Sequence, residues 1–148
     1  MSSKLIPNLG ATNFADWITW TPTYTNLTIG NGTVTARYQQ INKLVNFSFN
    51  LTFGSTTAIT GGIRISFPVT AATSQAAWDA QIVIGYEDSN VGPYVGENWK
   101  RNTSTTSFSP VIINASATYA TNTQLSSTVP FTWTTSDEIM IFGTYEAA

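Results

Sequence analysis

The chain of 148 residues contains no cysteine and no histidine. The first absence excludes disulfides and thiol nucleophiles; the second removes every imidazole base or ligand. Zinc sites of the usual kind fall with them, because only carboxylates remain to bind. Charge is sparse as well: 6 Lys and Arg stand against 8 Asp and Glu, a net of −2. So few cations, spread from Lys4 to Arg101, cannot build a basic face, which argues against nucleic acid as a partner. No apolar run approaches the roughly 20 residues of a membrane span. The start MSSKLIPNLG lacks the basic-then-apolar pattern of a signal peptide. The expectation is a protein made in a cytoplasm, with no membrane partner.

What is present points to β structure. The apolar fraction is 42%, enough for a packed core, and the length suits one domain. Threonine occurs 25 times; it is β-branched and polar, so it suits the wet face of a strand. The clearest pattern runs over residues 33–53. Val45, Phe47, Phe49, Leu51 and Phe53 alternate with Asn46, Ser48, Asn50 and Thr52. A period of two held that long predicts a strand with one dry and one wet face. Val34, Ala36 and Tyr38 alternate before it, and Asn42-Lys43 suits the turn between them. A central antiparallel hairpin is therefore expected.

The other strands are laid on that hairpin. Residues 19–29 alternate but contain Pro22, which lacks a ladder donor and predicts an edge or bulged strand. Gly61-Gly62 reads as a turn before a short strand ended by Pro68. Residues 69–80 read mainly as loop. The stretch QIVIGYE, residues 81–87, is almost continuously apolar and predicts a strand buried on both sides. Gly96 reads as a possible bulge in the strand that follows. Residues 138–146 alternate in a last strand. About eight to ten strands, with turn signals every 8 to 12 residues, predict an all-β antiparallel sandwich, jelly-roll-like in plan. Residues 1–18 stand apart, with no alternation. They read as an extended N-terminal arm, whose Leu5, Ile6, Leu9, Phe14 and Trp17 are too many large apolar groups for a tail that touches nothing. These five are the candidate partner contacts, and residues 19–148 form the β domain.

Reactive constellations are missing. A hydrolytic site needs two convergent carboxylates or a nucleophile with its base. The adjacent pairs Glu87-Asp88 and Asp137-Glu138 fall at strand–turn junctions, and neighbours in a strand point to opposite faces. They read as turn-forming acids facing water. The expectation is no enzyme, no cofactor and no metal. The aromatic residues Tyr86, Tyr94 and Trp99, with Trp78, lie in the loop-rich middle and could stack on a sugar. The plainer reading places them in the core or in a subunit contact.

The residues also carry a resemblance. Trp20-x-Pro22, the run LTIGNGTVTARY from Leu27 to Tyr38, Phe53-Gly54-Ser55-Thr56-Thr57 and Phe67-Pro68-Val69 resemble a module frequent in structural proteins of tailed bacteriophages. So do the ending Pro130-Phe131-Thr132-Trp133, Asp137 and GTYEAA from Gly143. The resemblance covers about residues 20 to 148 and is strongest in the first third. It implies a virion structural protein. In many such proteins the module looks like the tip of a longer tail protein. Here only the short arm precedes it, which fits a capsid decoration (cement) protein better. That reading implies a homotrimer on the head, its arm clasping a neighbour and the major capsid protein or other virion proteins as partners. The alternative is the receptor-binding tip of a tail fibre or tailspike, with Tyr86, Tyr94 and Trp99 as glycan contacts.

Overall fold

The computed structural model describes residues 16–73, 81–97, 104–116 and 118–148. These form eleven strands and no α-helix: β1 (Ile18–Thr19), β2 (Tyr24–Thr28), β3 (Thr33–Ile41), β4 (Leu44–Thr52), β5 (Ala58–Ser66), β6 (Gln81–Asp88), β7 (Gly92–Glu97), β8 (Ser107–Phe108), β9 (Val111–Asn114), β10 (Thr121–Gln124) and β11 (Glu138–Glu146). They make two sheets. The large one has the order β1-β3-β4-β11-β6-β7-β9-β10, the small one β2-β5-β8, and every pairing is antiparallel. The expected all-β antiparallel sandwich is what forms. Its division into eight and three strands, among the described residues, differs from the two balanced sheets of a jelly roll.

The hairpin β3–β4 forms in the expected register, with Ile41 opposite Leu44. Asn42 takes the positive φ, 54°, at the turn. β4 sits between β3 and β11, so its alternation is read by both neighbours. Val45, Phe47, Phe49 and Leu51 are fully buried with Phe53, and Ile139, Ile141 and Tyr145 of β11 lie beside them. The small sheet closes this face with Leu27, Ile59, Ile63, Ile65 and Phe108. Phe47 is the hub: its ring centroid lies 5.9 Å from Trp20, 6.1 Å from Phe67, 5.4 Å from Phe108 and 5.8 Å from Tyr145. Directly opposite Phe47 in the ladder stands Gly143. A Cβ there would lie 2.6 Å from the Phe47 ring, so the glycine is what admits the phenyl group.

Several local expectations change. β6 is buried on one face only: Ile82, Ile84 and Tyr86 point into the core, whereas Val83 stands in solvent. An apolar run does not say whether its second face is covered. Gly61 and Gly62 lie inside β5 and not in a turn. The β2–β5 register shifts between Thr25 and Leu27, Asn26 takes a φ of 57°, and its side-chain amide donates to the Gly62 carbonyl at 3.0 Å. Gly96 is no bulge. It pairs regularly with Ile84, and a Cβ on it would meet the Tyr86 ring at 2.4 Å. Ile18 pairs with Tyr38, so the last residue assigned to the arm already belongs to the large sheet.

Candidate functional site

The motif loops come together at one end of the sandwich, and their polar groups serve the fold. The Asn31 carboxamide oxygen accepts from the backbone N–H and the hydroxyl of Thr56, both at 2.9 Å. Its amide donates to the Ser55 hydroxyl at 3.0 Å. Thr57 donates its hydroxyl to the Ile29 carbonyl at 2.6 Å and accepts from the Gly54 N–H at 2.9 Å. The segment IGNG is thereby locked to FGSTT. Beside them Trp133 stacks on Phe53 at 4.7 Å and donates its indole N–H to the Ser126 carbonyl at 3.0 Å.

Asp137 is completely buried, so it is not the water-facing turn acid expected. One carboxylate oxygen accepts from the backbone N–H and hydroxyl of Ser89, both at 2.9 Å. The other accepts from the backbone N–H and hydroxyl of Thr134. Four donors use its acceptor capacity, which makes the group a clamp between the β6–β7 turn and the entry to β11. Glu87 and Glu138 are brought together in a way the sequence did not show. They lie directly opposite each other on β6 and β11, and Glu138 also accepts from the Thr52 hydroxyl at 3.1 Å. Among the described residues no group of three or more acids could hold a metal ion.

Of the aromatic candidates, Tyr86 is closed to a sugar. Tyr86 is fully buried and donates its hydroxyl to the Val111 carbonyl at 3.0 Å; burial pushes its phenol well above the ordinary range. A ring with no exposed face cannot stack on a glycan. Tyr94 is half-buried against Phe131, with centroids 5.0 Å apart. Trp99 and Trp78 lie outside the described residues, as do Leu5, Ile6, Leu9 and Phe14 of the arm. Trp17 is described: it is 40% exposed, with the Arg37 guanidinium 4.7 Å from its ring centroid.

The feature that stands out is the outer face of the large sheet. Ladder positions align its side chains in rows. One row holds Arg37, Ser48, Phe142 and Val83. The next holds Thr35, Asn50, Met140, Gly85 and Val95. On β3 and β4 these rows are polar. Across β11 and β6 they turn apolar; on β7 the second row continues in Val95, while Glu97 stands opposite Val83 in the first. Phe142 is 54% exposed, Val83 69% and Val95 70%. Ile113 on β9 continues the strip. Its centre is notched, since Gly85 carries no side chain and only the Met140 methyl, 3.5 Å from where a Cβ would sit, leans over it. A strip like this can do no chemistry; it can be covered.

Comparison with known proteins gives no match to any family model, curated protein or solved structure.

Proposed function

We propose that the chain is a bacteriophage virion structural protein, a capsid decoration protein that acts by burying surface between chains. Its partners are further copies of itself and the shell proteins beneath it, and its place is the assembled head. The observation that carries the reading is the bare strip of Phe142, Val83 and Val95 on an otherwise Thr- and Asn-rich sheet face. Exposed apolar area of this kind gains about 25 cal/mol per Å² when a partner covers it, before ordering costs. The sequence resemblance supports the same reading. Its residues are the ones that build the fold, such as the Asn31–Thr56 lock and the Phe53–Trp133 stack. The tail-tip alternative loses Tyr86 as a glycan contact to burial.

Co-sedimentation with phage heads that lack a decoration protein tests the proposal. The full chain is expected to pellet with the heads and to raise their resistance to heat. A variant with Leu5, Ile6, Leu9 and Phe14 replaced by Ser is expected to keep its thermal unfolding and lose the heads. A chain that leaves heads bare, or a variant that coats them as well as the parent does, contradicts the reading.

A further inference from the structure

We infer that Asn31-Gly32 is a latent modification site: the closed loop lock holds it unreactive, and opening of the lock releases its conversion to aspartate or isoaspartate. The inference goes beyond the virion reading and does not depend on it. Asn31 is the one asparagine in the chain that is followed by glycine. With no side chain on the next residue, the backbone nitrogen can approach an asparagine carboxamide unhindered, so this pair is the most prone to lose ammonia. The step takes place within the chain. The Gly32 amide gives up its proton, and its nitrogen attacks Cγ of Asn31. The new N–C bond closes a succinimide ring, the Cγ–Nδ2 bond breaks, and Nδ2 takes up a proton and leaves as ammonia. Water then opens the ring at one carbonyl or the other, giving aspartate or isoaspartate.

The fold demands both residues and then withholds the step between them. A Cβ at position 32 would lie 2.9 Å from the Thr52 carbonyl oxygen, so glycine is what fits. Asn31 is the centre of the lock. Its carboxamide oxygen accepts from the Thr56 N–H and hydroxyl, and its amide donates to Ser55. Its own backbone N–H donates to the Thr56 hydroxyl oxygen at 2.8 Å. The carboxamide packs on the Gly54 backbone, where a Cβ would overlap it. Ring closure requires this side chain to swing back onto its own backbone, and those bonds oppose the swing. The nucleophile is tied as well. The Gly32 N–H donates to the Ile29 carbonyl at 2.9 Å, which keeps its proton from hydroxide. Asn31 itself is exposed, so geometry and not burial protects it. Conversion then runs through chains in which the lock has opened, at a rate set by that opening equilibrium. It is also one-way. Isoaspartate carries the backbone through an extra methylene, which moves Gly32 off the Ile29 carbonyl and Thr33 out of register with Thr52. Ser55 loses its amide donor at the same time. A converted chain cannot close the lock as before.

The test incubates the full-length chain at mildly alkaline pH, in buffer and in guanidinium chloride, and follows conversion at Asn31 by peptide mass spectrometry. The folded chain is expected to convert at least about 30-fold more slowly than the unfolded one, the factor that about 2 kcal/mol of opening free energy supplies. Thr56→Val removes the hydroxyl that serves Asn31 twice and keeps the branched shape of the side chain. It should speed conversion in buffer about tenfold and leave the rate in denaturant unchanged. Ser55→Ala removes only the partner of the Asn31 amide, at an exposed position, and should speed conversion in buffer about threefold. It keeps the test open should Thr56→Val fail to fold. Chains carrying isoaspartate at position 31 should melt below the parent. Equal rates in buffer and in denaturant overturn the inference. Faster conversion in buffer does so too, since the two Thr56 donors would then be stabilising the oxyanion of the attack. So do a rate in buffer that neither substitution moves and isoaspartate chains that melt with the parent. None of these readouts involves phage heads, so the virion reading stands or falls separately.

Discussion

Single residues in this fold act by the space they leave or the donors they gather. Gly143 and Gly96 leave room for the rings of Phe47 and Tyr86. Replacing either by Ala should cost about 1–3 kcal/mol, because backbone or a buried ring must move. Urea unfolding would register this as a lower midpoint with an unchanged slope. Gly96 looks like a bulge in the sequence and Gly143 like an ordinary strand position, since the ring each one admits comes from a different strand. Asp137 gathers four donors inside the protein. Asp137→Ala leaves them without a partner and should cost about 2–4 kcal/mol, read in the same experiment. Its sequence context, Thr-Ser-Asp-Glu, signals a turn; the partner Ser89 lies 48 positions away and could not be read.

Strands were legible where one face is buried and both neighbours are regular. β4 is the clear case, because its four alternating apolar residues, and Phe53 just past its end, all enter the core. β6 was legible as a strand and misleading as to its surroundings. Its continuous apolar run reads as a strand covered twice, yet only one side is covered and Val83 is bare. The candidate surface was thus present in the sequence but indistinguishable from core. Tyr86 follows the plainer reading and lies in the core, because its register on β6 turns the ring inward. Pairing between strands also sets a charge relation that sequence adjacency hides: Glu87 faces Glu138. Like charges directly opposite are destabilising, so Glu87→Lys should stabilise the fold by about 0.2–1 kcal/mol. The gain should shrink in high salt, and melting at low and high salt would show both effects.

At the scale of the whole molecule, the sandwich places Tyr86 and Tyr145 inside and its apolar strip outside. Burial pushes the phenols of Tyr86 and Tyr145 well above the ordinary tyrosine value of 10.0, and Tyr145 is also held by the Val69 backbone and lies near Tyr38. Above pH 10 the unfolded chain sheds these protons and the folded chain keeps them. The unfolded state then binds fewer protons, so stability must fall as pH rises, by up to about 1.4 kcal/mol per unit for each phenol. Below pH 10 neither contributes a slope. Urea titrations between pH 9 and 12 should show this, with Tyr145→Phe giving a shallower fall. The central claim is that the bare strip exists to be covered by protein. It is tested most directly by a reconstruction of phage heads assembled with the full-length chain. The account predicts density packed against Phe142, Val83 and Val95 in every bound copy. Bound copies that present those three side chains to solvent would contradict it.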